Sequence, residues 1–302
     1  MAMVIRYERP YSHAAHWARR MAAFALVLFL AASLSHRFGP LTTPHFLVLA
    51  GIAAGLALIA VLLAFVGLVR LWRVGARGGK AAFAALLLAA LPLGVPGFAA
   101  YAYFTRPMIY DVTTDPYASP PWLKVPIAEQ DFLPRPPVTL RDREVQDASY
   151  PGLTGRRYEG ALDRVLQGVR KVAEEQKIVF TEESGLENVI ADLEDLVVKQ
   201  DADKSGESEV AVIPVPSERP VEQGLLPNNG GPSDVILQGE WRSLLFGFRF
   251  DVSIRLREEE ETALVDMRVA SRYGPHDLGM GAAFAARYLK ALDAELLGIA
   301  GD

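Results

Sequence analysis

The alternation of apolar and polar positions changes character near residue 104. Before it lie three long apolar runs, from about Trp17 to Ser35, Phe46 to Val69 and Ala81 to Phe104. Between their flanking charges none contains Asp, Glu, Lys or Arg. Each approaches or exceeds the roughly 20 residues that cross a hydrocarbon core about 30 Å thick. The pattern predicts three transmembrane helices within residues 1–104. Residues 105–151 then carry nine prolines. Proline pushes the residue before it out of the helical region, so this stretch reads as extended chain.

Helical periodicity returns near Glu159. Ala161, Leu162, Val165, Leu166, Val169, Val172 and Ala173 recur at the three- and four-residue spacing of one buried face. Ile178 to Phe180 reads as a short strand. Leu186 to Lys199 reads as a second helix, with Ser184 and Glu187 at capping-box spacing. From about 184 to 233 the domain carries an insertion, polar and rich in proline and glycine after Asp201, with one short strand at Val210–Val215.

The clearest element is a hairpin. Phe246, Phe248, Phe250, Val252, Ile254 and Leu256 alternate with Gly247, Arg249, Asp251, Ser253, Arg255 and Arg257, which is the period of a strand with one buried face. Glu258 to Glu261 supply the turn, and Val265, Met267 and Val269 face inward from the next strand. A four-residue turn sets Val252 opposite Met267 on the dry face and Asp251 opposite Arg268 on the wet one. An exposed pair of that kind stabilises by under about 1 kcal/mol. A last helix runs from about Leu278 to Leu297, with Asp277 placed to cap it. The fold class is α+β: a three-helix transmembrane bundle, then a soluble domain over 152–302 whose antiparallel sheet is backed by helices.

Charge sharpens the division. Residues 1–104 hold nine basic side chains against one acidic, a net +8, and the remaining 22 basic and 35 acidic give −13. Arg6, Arg9, Arg19 and Arg20 precede the first span, and Arg70, Arg73, Arg77 and Lys80 lie between the second and third; the His36–His45 loop has only Arg37. The positive-inside rule places the N-terminus in the cytoplasm and residues 105–302 across the membrane, in the periplasm of a bacterium whose inner membrane holds the spans. A leader cleaved near Ser33-Leu34-Ser35 would leave that side unchanged. Trp17, Trp72, Tyr101 and Tyr103 fall at the expected interfaces. The spans contain no ionisable group at membrane depth, which argues against a transporter. Pro92, Gly94, Pro96 and Gly97 should kink or loosen the third. The chain has no cysteine, so disulfides, cysteine nucleophiles and thiolate zinc sites are excluded. A domain at −13 is a poor partner for nucleic acid.

Three stretches of the soluble part carry a family resemblance. They are Ile109 to Pro116 with Pro120-Pro121-Trp122; Ser149-Tyr150-Pro151-Gly152; and Val265 to Gly274 continuing through Asp277-Leu278-Gly279. Together they resemble the bacterial and plastid family catalogued as domain of unknown function 1499, over about 105–183 and 234–297. The resemblance implies membrane helices ahead of the domain and no established reaction. Met280, Gly281, Ala282 and Ala283 stand where members usually have an Asn and a basic face, and residues 184–233 are longer than the usual connection.

Candidate chemistry is sparse. Ser271, Arg272, His276 and Asp277 combine a strand end, a turn and a helix N-terminus, where free amides favour an anion or other ligand. The competing reading is structural: Gly274 and Pro275 turn the chain, Asp277 caps and Arg272 pairs locally. Three residues on one turn rarely supply the geometry of a Ser-His-Asp hydrolase. Asp201, Asp203, Ser205 and Glu207 resemble the first half of a calcium loop. Val212 stands where the bidentate Glu belongs, however, and a solvated acidic loop is the simpler reading; no other cofactor is implied. Gly51 and Gly55 form a G-x-x-x-G pattern, read as close packing inside the bundle ahead of a homo-oligomer contact. Arg249, Arg255, Arg257 and Arg268 mark a wet sheet face, solvated or facing a partner. The sequence thus supports a membrane-anchored periplasmic binding or envelope-organising module, partnered by the lipid bilayer and an envelope protein. A lipid or small-molecule carrier or sensor is the alternative, and a hydrolase at the 271–277 turn a third class.

Overall fold

A computed structural model describes residues 10–128, 132–189, 217–218, 234–259 and 262–298. The chain forms two compact units: Met1–Thr105 with Leu244–Gly247, and Arg106–Ser243 with Phe248–Asp302.

The first unit is built on α1 (His13–Phe38), α2 (Thr43–Val74) and α3 (Gly79–Thr105), each long and apolar enough to cross a membrane. Its interior is alanine: Ala15, Ala18, Ala22 and Ala25 of α1 meet Ala57, Ala60 and Ala64 of α2 and Ala81, Ala82, Ala85 and Ala89 of α3. Small side chains let backbones approach closely where no hydrophobic effect drives helices together. The tightest approach is at Gly67, where an added Cβ would lie 2.8 Å from Ala15 Cβ. Many of the larger side chains point outward, Trp72, Phe83 and Phe98 among them, while Phe29 and Phe46 are buried. Gly51 and Gly55 do not pack inside the bundle as expected. A Cβ on either would meet nothing within 4 Å, because the α2 face turned inward carries Ala53, Ala57, Ala60 and Ala64 instead. Pro92 and Pro96 lie inside α3, which continues past both to Thr105. Leu244–Gly247 belong to this unit, with the Phe246 ring 5.9 Å from that of Phe46.

The second unit is a sheet with helices. Its strands are β1 (Asp111–Thr113), β2 (Arg156–Glu159), β3 (Val179–Ser184), β4 (Ser217–Glu218), β5 (Val235–Arg242), β6 (Arg249–Glu259) and β7 (Thr262–Ser271). Its helices are α4 (Leu140–Ser149), α5 (Leu162–Glu175) and α6 (Met280–Leu296). The strand order is β3-β5-β6-β7-β2-β4, with β1 also on β7. All described pairings are antiparallel, and β1 and β2 share one edge of β7, β1 at Arg268–Ala270 and β2 at Thr262–Val265. One sheet face is apolar. Leu237 of β5, Ile254 of β6 and Met267 of β7 lie side by side, and Phe250, Val252, Leu256, Val265 and Val269 extend the layer. The apolar stripe of α5 and Phe284, Tyr288, Leu289 and Leu292 of α6 cover it. Trp241 stacks on Phe284 at 3.9 Å between ring centres. The space between sheet and helices is therefore filled with side chains.

Several expectations are corrected. The hairpin register is shifted by two residues: Glu259 pairs with Thr262, so Asp251 faces Ala270 and Ile254 faces Met267. A shift of two preserves which side chains share a face, so the apolar residues from Phe250 to Leu256 and from Val265 to Val269 lie on the dry face as expected, whereas β6 begins only at Arg249 and Phe246 falls in the first unit. The 105–151 stretch is extended only in part. Thr139 opens α4 through a capping box with Asp142, and its hydroxyl accepts from the Asp142 amide at 3.3 Å. The compact unit accordingly begins at Arg106 rather than at 152. Arg156–Glu159 is a strand where helical periodicity was expected to begin, and α5 starts at Leu162. The expected cap at Ser184 is absent: Ser184 ends β3, and the short 3-10 turn Leu186–Asn188 opens on Gly185 with no side-chain cap. The rest of the helix expected to Lys199, the strand at Val210–Val215 and the calcium residues Asp201, Asp203, Ser205 and Glu207 lie outside the described residues.

Candidate functional site

The second face of the sheet is not wet. Of the four arginines expected on a wet face Arg249 alone is exposed; Asp251 is 3% exposed, Arg255 1% and Asp266 2%, and Arg257 and Arg268 are half-buried. What buries them is the proline-rich segment after Arg106. Thr114 donates its amide to the Met267 carbonyl at 2.9 Å, and its hydroxyl accepts from the Met267 amide at the same distance. Ser253 Oγ donates to the Pro121 carbonyl at 2.9 Å, and Gln238 bonds both the amide and the carbonyl of Lys124. Prolines suit such a cover, since they remove backbone donors that would need partners.

Beneath it the charges pair with one another. Arg255 meets Asp266, its cross-strand neighbour, at 2.7 Å and Asp115 at 3.3 Å. Arg268 grips Asp111 through Nε at 3.1 Å and Nη2 at 2.7 Å, and its guanidinium lies 4.8 Å from the centre of the Trp122 ring. Arg143, on α4, reaches the same Asp111 at 3.0 Å. The α4 side chain of Gln146 serves as a strand edge for β1, donating to the Thr113 carbonyl at 2.7 Å and accepting from its amide at 3.0 Å. Farther along, Arg257 holds Asp234 with two bonds, and Arg272 bridges Asp251 and Glu240. Arg135 approaches Asp251 at 3.7 Å. Among the described residues these pairs set six carboxylates against six guanidinium groups, and a seventh guanidinium, that of Arg242, lies 3.9 Å from Glu240. Nε and Nη1 of Arg255 are buried without a hydrogen-bond partner.

The four residues of the 271–277 turn go to separate tasks. Ser271 Oγ donates to the Tyr273 carbonyl at 3.0 Å. Arg272 points into the charged layer. His276 Nδ1 accepts from the Leu278 amide at 2.8 Å. Asp277 accepts from the amides of Gly279 and Gly281 at 2.7 and 2.9 Å. The place an anion would take at the start of α6 is therefore filled by the chain's own carboxylate. Burial raises the pKa of Asp277, and the two amide bonds oppose that shift.

The D-L-G element has a steric logic. Leu278 adopts a left-handed φ of 58° and Gly279 one of 74°. A Cβ on Gly279 would also lie 2.9 Å from Arg106 Nη1 and 3.2 Å from the Tyr150 hydroxyl, but these are movable side-chain ends, and the left-handed φ is what calls for glycine. Burial raises the Tyr150 phenol, and the Asp277 carboxylate adds to the effect. A Cβ on Gly281 would lie 2.7 Å from Asp277 Oδ2. Sequence reasoning missed Asp111, Asp115, Arg143 and Gln146 as parts of one layer. The available signal was the mixed sign of the charges alternating along β6 and β7.

The three resembling stretches converge here. Asp111, Thr114 and Asp115 come from the first, Tyr150 from the second, and Asp266, Arg268, Arg272 and the D-L-G turn from the third. No curated protein and no solved structure matches the chain. Residues 132–292, more than half of the chain, match the family described as Protein of unknown function (DUF1499), and the chain belongs to that family.

Proposed function

We propose that the chain is a multi-pass protein of a bacterial inner membrane. Its N-terminus and the Arg70–Lys80 loop lie in the cytoplasm, and residues 105–302 form a periplasmic, non-catalytic module that binds an envelope protein. Orientation rests on the basic loop between α2 and α3 against the short α1–α2 connection. The observation that carries the binding reading is the outer side of the covering segment. Asp111, Asp115 and several of its backbone groups turn inward to the sheet, while Val125 and Ile127 are 68% and 78% exposed and Phe132 72%. Exposed apolar side chains grouped in sequence beside a filled core favour a protein partner over an enclosed ligand.

The test is photocrosslinking in cells, with the full-length chain carrying a benzophenone amino acid at Phe132. One protein adduct of fixed mass is expected. It should disappear when Val125→Asp and Ile127→Asp are introduced, and should not form when the probe sits at the exposed Val179 of β3 instead. Adducts with lipid alone, or the same adduct from Val179, would overturn the reading.

A further inference from the structure

A groove of about 720 Å³ runs along the outward side of α2 toward its C-terminal end. Its floor is Leu62, Phe65, Val66 and Val69, the i, i+3, i+4, i+7 stripe of one helix face. Arg70 and Arg73 close the end of the trough. Both are exposed, and neither has an ion-pair partner among the described residues. The partial negative charge of the α2 C-terminus favours cations in this last turn.

The other wall is Pro10 and Tyr11, and it is built in place. The Ser12 amide donates to the Arg77 carbonyl at 3.0 Å, and the Arg77 amide donates to the Pro10 carbonyl at 2.8 Å. The Tyr11 ring stacks on His16 at 4.2 Å between centres. A bare helix surface in a bilayer has no such second wall.

We infer that this groove binds one anionic phospholipid, an acyl chain lying on the Leu62–Val69 stripe and the phosphate held by Arg70 and Arg73. The chemistry is that of an apolar trough ending in two guanidinium groups, which pair with phosphate oxygens through several N–H donors. The inference rests on α2 spanning a membrane and is independent of what residues 105–302 bind.

The test is native mass spectrometry of the full-length protein in detergent, with phosphatidylglycerol or phosphatidylcholine added. One phosphatidylglycerol should survive activation that strips phosphatidylcholine. The Arg70→Gln/Arg73→Gln variant should lose that preference by about tenfold or more, from two phosphate contacts. Arg19→Gln/Arg20→Gln removes the same charge from α1 and should keep the preference; the helical content of both variants checks folding. Equal retention of the two lipids, or equal loss in both variants, would overturn the site. So would displacement of the bound lipid by millimolar inorganic phosphate, which would mark a plain anion site.

Discussion

At the scale of single residues, the pair Arg255–Asp266 shows how burial changes the meaning of a charge. An exposed pair of this kind contributes little, whereas a buried one holds two desolvated groups in balance, and removing one partner leaves the other uncompensated. Asp266→Asn should therefore destabilise the second unit by about 3–5 kcal/mol. The double replacement Arg255→Met/Asp266→Leu should recover part of that loss, because it removes the two unpartnered nitrogens of Arg255 while leaving Asp115 without its guanidinium. Denaturant titration of the full-length protein in detergent, followed by tryptophan fluorescence, measures both. A double variant no more stable than the single one would mean that the layer depends on its charges. None of this was legible in the sequence. The alternation along β6 identified the two faces correctly, but a polar face opposite an apolar one ordinarily meets water. What covers it has no periodicity to read: Thr114, Pro121 and Lys124 act through backbone groups that sequence pattern does not reveal.

At the scale of elements, legibility followed side-chain size. α5 and α6 were read closely because large apolar residues recur on one face. The helix α4 was missed because its interior contribution is one glutamine, Gln146, although Thr139 and Asp142 carried a visible capping signal. In the bundle the opposite problem arose. Glycine spacing drew the eye to Gly51 and Gly55, whereas the contact surface is alanine with Gly67. Gly67→Leu should therefore lower the melting temperature of the detergent-solubilised helical unit markedly, since its Cβ already collides with Ala15. Gly55→Leu should leave that temperature unchanged. A shift of Gly55→Leu to a smaller species on size exclusion would instead reveal a contact between copies.

At the scale of the whole molecule, the split between a +8 third and a −13 remainder is the most readable property of all, and it bears on orientation. The chain has no cysteine, so single introduced thiols report without background. On the proposed orientation, an impermeant maleimide applied to intact spheroplasts should label Ser149→Cys and spare Arg77→Cys until the membrane is opened. Labelling of Arg77→Cys alone would reverse the orientation.

The covering segment also has a place in time. Asp111 and the Arg268 that grips it are 157 residues apart in the chain, and Thr114 and Asp266 are 152 apart. A ribosome delivers the cover directly after α3 and the strands beneath it much later, so the first-made part of this unit waits for its partners. Until β7 emerges, Asp111 lacks the Arg268 that grips it and Thr114 lacks Met267, so the proline-rich segment has only its β5 and β6 contacts to hold it. Closing loops of that length costs entropy that only the finished sheet repays. A nascent chain halted before residue 262 therefore lacks the Asp111–Arg268 and Thr114–Met267 contacts, and the cover closes fully only once β7 has been made.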